Sequence, residues 1–219
     1  MSHRPFKERI YPEFARIAAA LASDRRLEVI DILAQGPRHV EALAEETELS
    51  VANVSQHLQI LRRARLVETE REGTRVVYRL ADDRVLELWL ALRSLAESRL
   101  ADVGELRREF AVPGAEGSEL PRDELQRLIT RKAAFVIDVR PAVEFQHGHL
   151  PGAVSVPVAE LPQHLESLPR DKPIVAYCRG AYCLFADEAV ALLRSHGFDA
   201  HRLEGGWPEW RVEKRQVAI

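Results

Sequence analysis

The only two cysteines of this 219-residue chain, Cys178 and Cys183, stand five positions apart in YCRGAYCLFADEA, residues 177–189. Thiols ionise, attack sulfur and other electrophiles, bind soft metals and form disulfides, so a chain with two thiols in one short loop invites a chemical reading. A disulfide framework would need more cysteines in a chain this long. PIVAYC before the first thiol reads as a strand, and FADEAVALLRSHG after the second reads as a helix closed by Gly197. Cys178 is therefore expected at the carboxyl end of a strand, where open α/β sheets place their ligand sites. Backbone N–H groups from Arg179 through Gly180, Ala181 and Tyr182 to Cys183 are expected to converge there, with the helix dipole and Arg179 adding positive potential. On that basis Cys178 is expected to be the more acidic and reactive thiol. Cys183 has two readings, a resolving thiol or a small buried residue packing the helix start.

The elements that must position these thiols alternate in the second half of the chain. FVIDV, SVPVAEL, PIVAYC and AHRL read as strands in a mostly parallel α/β sheet. Asp138 and Arg140 read as a buried ion pair, and Trp207 and Trp210 as core. The composition of AVPGAEGSELP, residues 111–121, is that of a linker, which divides the chain into a first domain over 1–112, a linker over 113–120 and a second domain over 121–219. One long amphipathic helix is expected from Asp82 to Phe110.

Upstream, short helical patterns follow one another. Leu27, Ile30 and Leu33 mark one helix ending at Gly36 and Pro37; Val40, Leu43 and Ala44 mark a second; Val51, Val54, Leu58 and Leu61 mark a third, capped by Ser50. Residues 66–80 alternate into a hairpin around Glu72-Gly73. Two helices about a tight turn followed by a hairpin make a winged helix-turn-helix, mainly α with a small β part. Asn53, Ser55, Gln56 and His57 would project from the third helix toward base edges. Arg62, Arg63, Arg71 and Arg75 head a set of arginines that outnumbers the local glutamates and would meet phosphates. Capping or packing is an equal reading for His57.

Apolar residues make up 46% of the chain and charged residues 30%, with a net charge of -3. This is a water-folded globular composition that excludes a disordered chain and a bulk polyanion binder. No apolar h-region opens the chain and no run is long enough to span a bilayer, so the expected compartment is the cytoplasm, without a membrane partner.

SVANVSQHLQILRRARLVETEREGTRVVYRL resembles the recognition helix and wing of ArsR-type winged-helix repressors, a likeness that extends over residues 10–110. It implies a homodimer built on the first and last helices of that domain, bound to double-stranded operator DNA. Members of that family sense metals through cysteines on the helix before the turn or histidines on the last helix. RRLEVIDILAQG lacks cysteine and DDRVLELWLALRSLAESRL lacks histidine, so no metal site is expected and no cofactor.

A second resemblance lies in DVR (138–140), EFQHGHLPGA (144–153), YCRGAYC and LEGGWPEW (203–210), which together are similar to a rhodanese domain over residues 121–212. It implies that Cys178 accepts a sulfane sulfur from a low-molecular-weight donor and carries it as a persulfide, and that HGHLPG, with His147 and His149, is a structural turn. Related phosphatases place an arginine where this chain has Leu184, which favours sulfur over phosphorus. Cys183 occupies the position where thiosulfate-using members often carry a cationic or hydroxyl side chain. The expected function is therefore a DNA-binding regulator that responds to reactive sulfur through a persulfide on Cys178 or a bridge to Cys183. The alternatives are a sulfurtransferase using its winged helix for docking or dimerisation, and a metal-responsive repressor.

Overall fold

A computed structural model describes residues 3–213 and 215–218. The chain forms two compact units, Met1–Ala91 and Leu92–Ile219.

In the first unit, helices α1 (Arg4–Leu21) and α2 (Asp24–Gln35) precede a short strand, β1 (Arg38–His39), and helices α3 (Val40–Glu46) and α4 (Val51–Arg63). Strands β2 (Val67–Glu72) and β3 (Arg75–Leu80) pair antiparallel from Val67↔Leu80 to Glu72↔Arg75, and β1 joins the other edge of β3. This is the expected helix-turn-helix and wing. Ser50 caps α4 by accepting the Asn53 N–H at 3.3 Å, which satisfies a first-turn donor. Every third or fourth residue of α4, namely Val54, Leu58 and Leu61, is fully buried with Ile30 and Leu43, so the polar face of that helix is held outward. Helix α5 (Asp83–Arg99) begins in this unit, tied to α2 by the Trp89 indole N–H donating to Asp31 at 2.7 Å.

The expected single helix over 82–110 is two. Leu100, extended at φ -109° and ψ 109°, separates α5 from α6 (Ala101–Glu109). The apolar spacing carried the signal, because Leu95 and Leu100 are five apart where a continuous helix wants three or four.

The second unit is built on a five-stranded parallel sheet ordered β4-β8-β7-β5-β6, with β4 at Glu119–Leu120, β5 at Phe135–Asp138, β6 at Val154–Ser155, β7 at Ile174–Tyr177 and β8 at Ala200–Leu203. Strand alternation divides the core between the two faces. Val136, Val175 and Tyr177 pack with α7 (Arg122–Thr130) and α11 (Trp207–Val212), whereas Ile137, Ala176 and Cys178 pack with α10 (Phe185–Ser195). Strand parity thus aims Cys178 toward α10. Helices α8 (Ala142–Gln146) and α9 (Leu161–His164) complete the connections.

Two expectations change here. Of SVPVAEL only Ser155 lies in a strand, because Pro157 cannot donate to a ladder and the chain then turns into α9. The 113–120 segment is packed: Ala115 and Ser118 are buried, residues 119–120 form edge strand β4, and Arg194 donates to the carbonyls of Gly114 at 3.4 Å and Glu116 at 2.9 Å.

Beneath the sheet's carboxyl edge lies the ion pair expected from DVR. Arg140 and Asp138 are both fully buried and doubly hydrogen-bonded, with Tyr177 donating its hydroxyl to the same carboxylate and Arg140 reaching the Gly148 carbonyl at 2.8 Å. His149 is held in the same turn, stacked on Phe145 with ring centroids 3.7 Å apart.

Candidate sulfur site and nucleic-acid interface

The loop between β7 and α10 places both thiols together. Cys178, 1% exposed, lies at its base; Cys183, partly exposed, lies at its outer end. Both thiols are free, and the two side chains are close enough to influence each other's ionisation. The Cys178 sulfur also faces the carbonyl oxygens of Cys183 at 3.3 Å and Gly180 at 3.8 Å.

Burial weighs against the expected order of acidity. Burial pushes the Cys178 thiol well above its ordinary value, reinforced by the bond to Cys183 and opposed only by backbone N–H groups of Gly180 and Ala186. The Cys178 S–H in turn holds Cys183 below the ordinary value, against burial and with help from the N–H groups of Phe185 and Arg179. Strand-end placement does give the site its amide donors, but they are divided between two sulfurs, and the first-reached position is the drier one.

One pH consequence is direct. A depressed thiol forms thiolate at lower pH, so iodoacetamide modification of Cys183 should rise with a midpoint below that of an ordinary cysteine, while Cys178 modification should need higher pH. Peptide mass mapping across pH 6 to 10 would show it, and faster labelling of Cys178 at neutral pH would contradict this ordering.

Arg179 does not point its side chain at the sulfurs. Its guanidinium is paired with Glu144, which is completely buried, through Nε at 3.2 Å and a second, shorter bond. Its contribution to the site is the backbone N–H and a weaker field at Cys183. Gly180 is buried with φ +136°, a backbone that side-chain residues rarely adopt. Gly206 closes the loop from the other side, since a Cβ there would sit 2.3 Å from the Cys178 carbonyl oxygen and 2.5 Å from the Gly180 nitrogen. Ala181 and Tyr182 form the outer lip.

Sequence reading passed over two residues at this lip. Arg93, on α5, lies over the Tyr182 ring at 4.9 Å and donates to Glu209 at 3.0 Å, and the pair is only 11% and 16% exposed. Both flank Gly180, where an added Cβ would meet the Glu209 carboxylate at 3.3 Å and Arg93 at 3.4 Å. Glu209 stood inside LEGGWPEW, but Arg93 carried no signal beyond one more charge on an amphipathic helix.

In the first unit, Asn53, Gln56, Arg62, Arg63, Arg71 and Arg75 are exposed, and Ser55 and His57 are half-buried. The His57 Nδ1 is buried without a hydrogen-bond partner, so that ring faces inward in part. Arg79 is engaged with Glu68 at 2.9 Å, whereas Arg62 and Arg63 extend the last turn of α4. Among the described residues no helix is long and apolar enough to cross a membrane, and no group of three or more His, Cys, Asp or Glu is placed to hold a metal ion.

A winged helix-turn-helix joined in one chain to a parallel α/β unit with a cysteine loop defines a two-module protein, and its matches follow the same division. Residues 23–69 match the model of the bacterial regulatory proteins of the arsR family, and residues 121–213 match that of the rhodanese-like domain. The HTH-type transcriptional regulator Rv0324 of Mycobacterium tuberculosis is 42% identical over 206 residues, which cover 94% of this chain and 90% of that protein. This chain belongs to the ArsR-type transcriptional regulators that carry a carboxyl-terminal rhodanese-like domain. It is also similar, at 34% identity over 149 residues, to a tRNA sulfurtransferase of Desulfurococcus amylolyticus, of which it covers 27%. Among solved structures, a homodimeric winged helix-turn-helix DNA-binding domain from Mycobacterium bovis is 41% identical and covers 46% of this chain and 91% of its own, with a TM-score of 0.43.

Proposed function

We propose that the protein is a homodimeric operator-binding regulator whose DNA affinity is set by sulfane sulfur taken up at the Cys178–Cys183 pair. The observation that carries this reading is the placement of the chain's only two thiols in one loop, Cys178 buried and Cys183 partly exposed, at the carboxyl edge of a sheet in the same chain as a winged helix.

The chemistry balances without an outside oxidant. The Cys183 thiolate attacks the outer sulfur of a donor R–S–SH; the donor S–S bond breaks, and the thiolate of R leaves and takes up a proton. Cys183 then carries –S–SH. Cys178 gives up its proton and attacks the inner, Cys183 sulfur, so that a Cys178–Cys183 disulfide forms and sulfide leaves with that proton. The sulfane sulfur is reduced to sulfide and the two thiols are oxidised. In this order Cys183 receives the sulfur and Cys178 resolves it, the reverse of the roles that the rhodanese resemblance implies.

Bridge formation would pull the ends of the loop together and displace Gly180 and Tyr182, which lie beside Arg93. Since Arg93 lies on α5, which begins in the DNA-binding unit, that helix is the route we assign to the coupling. On the DNA side, exposed Asn53 and Gln56 are placed to read bases, with Arg62, Arg63, Arg71 and Arg75 on phosphates. Exposed Phe6 and Phe14 on α1 and Leu88, Leu92 and Leu95 on α5 would form the dimer interface.

Mass spectrometry of protein exposed to cysteine persulfide tests the order of events. Cys178→Ser should accumulate one extra sulfur on Cys183, wild type should end as the disulfide, and Cys183→Ser should load poorly. Loading of Cys183→Ser with none on Cys178→Ser would reverse the roles, and no loading of any form would leave the domain without this activity. For the DNA side, Arg62→Ala with Arg63→Ala should weaken binding to every duplex and lower the salt slope by about two, while Gln56→Ala should cost about 1–3 kcal/mol at particular bases. Fluorescence anisotropy at several salt concentrations reads both, and equal affinity for operator and random duplex would refute sequence-specific binding.

A further inference from the structure

Beside the outer end of the cysteine loop, wholly within the second unit, lies a cavity of about 540 Å³. Its apolar wall comes from Leu106 and Phe110 at the end of α6, from Val112 and Ala115 in the segment that follows, and from Leu184. Tyr182 and Leu184, the immediate neighbours of Cys183, are both part of the lining. Ser118, 2% exposed, also lines this space, although its hydroxyl is shielded from it and has no hydrogen-bond partner.

The charges around the cavity select what that ligand is. Arg202 is committed to Glu119 at 2.6 Å and Asp187 at 3.1 Å, and Arg107 to Glu97 and Glu119 at 3.2 Å and 3.6 Å. With Glu116, Glu119 and Asp187 against Arg107 and Arg202, the lining carries more carboxylates than guanidiniums and has no spare cation for an anionic body.

We infer that this cavity binds the uncharged, apolar body of a low-molecular-weight persulfide and thereby presents the donor's sulfur to Cys183. The inference rests on sulfur uptake at the cysteine pair and names the donor class: a hydrophobic alkyl or aryl persulfide. Charged, peptide-like persulfides fit this lining poorly. Because the segment from Phe110 to Ser118 forms one wall, occupancy would also brace that segment against the cysteine loop. The sulfur-transfer step is the one given above, with the donor's thiol as leaving group.

The test uses the full chain and two readouts. Rates of sulfur gain by mass spectrometry are compared for octyl persulfide and cysteine persulfide, and binding of the neutral fluorophore N-phenyl-1-naphthylamine is titrated in wild type, in Cys178→Ser/Cys183→Ser, in Ala111→Trp, which fills the cavity from an exposed position, and in Ser118→Ala. Octyl persulfide should react on the order of tenfold faster or more, because each buried methylene adds to the discrimination. Ala111→Trp should remove that preference while leaving cysteine persulfide loading unchanged, and Ser118→Ala should leave fluorophore binding intact. The double serine variant should bind the fluorophore as wild type does. Equal rates for the two donors, with cysteine persulfide still loading, would overturn the cavity assignment and leave sulfur uptake standing. Fluorophore binding with no loading from either donor would overturn sulfur uptake, and with it the donor assignment. Fluorophore binding that appears only when the dimer is dissociated would show that a second copy fills the cavity, which also overturns the inference.

Discussion

Exposure of the wild-type protein to a sulfane-sulfur donor is expected to change its operator affinity by about 5- to 150-fold, the range that allosteric couplings of about 1–3 kcal/mol produce. Cys178→Ser and Cys183→Ser should each abolish the change, because either substitution prevents the bridge. Arg93→Ala is the more discriminating variant. Its α5 guanidinium lies over Tyr182, pairs with Glu209 and flanks Gly180, away from the two sulfurs, so the variant should still form the disulfide and still bind operator when reduced, yet lose most of the affinity difference between the two states. Titration of operator DNA with reduced and donor-treated forms of each protein, with the disulfide content of every sample measured in parallel, separates the cases. Equal affinities for reduced and bridged wild type would show that the two modules are merely tethered, and the sulfurtransferase reading would then lead.

The second large effect concerns stability. Asp138 and Arg140 have no solvent exposure, and removing one member of such a pair leaves a buried charge with its partner gone, which costs about 3–5 kcal/mol. Arg140→Ala should therefore remove a large fraction of the ~5–15 kcal/mol by which domains are stable. It should cost more than its charge alone, since the same guanidinium also holds the Gly148 carbonyl and lies 5.2 Å over the Trp207 ring. Burial and the Asp138 carboxylate push the Tyr177 hydroxyl well up, so it stays a donor to Asp138 across the accessible pH range and does not rescue the loss. Urea unfolding followed through Trp207 and Trp210 reads the second unit; an unchanged midpoint would show that the pair contributes nothing net.

Much of this architecture was legible in the residues themselves. Ser50 as a cap, Gly36 as a stop and the 3.6-residue repeat of Val54, Leu58 and Leu61 are local signals, and they marked the helix-turn-helix correctly because tertiary packing there agrees with local preference. The break at Leu100 was harder to read, since only a single five-residue step interrupts an otherwise regular stripe. At the cysteine loop, strand-end placement was readable but the depth of Cys178's burial was not. Desolvation and the S–H contact depend on how α10 and Gly206 close over Cys178, which is a property of packing at a distance in sequence. Arg93 was invisible for the same reason: its partner is 116 residues away.

The edge strand β4 has a consequence for anyone dissecting the chain. Ser118 and Leu120 accept backbone N–H groups of Arg202 and Glu204 at 2.9 Å, and Glu119 neutralises the otherwise buried Arg202 guanidinium. A fragment begun at residue 121, where the rhodanese-like match starts, would discard that strand whole. It would leave β8 as a bare sheet edge beside a cation without one of its carboxylates, which is the exposed ladder that invites strand-to-strand aggregation. Insolubility of such a fragment would report a misplaced cut, not an unstable fold, and a start upstream of Gly114 keeps both the strand and the clasp made by Arg194.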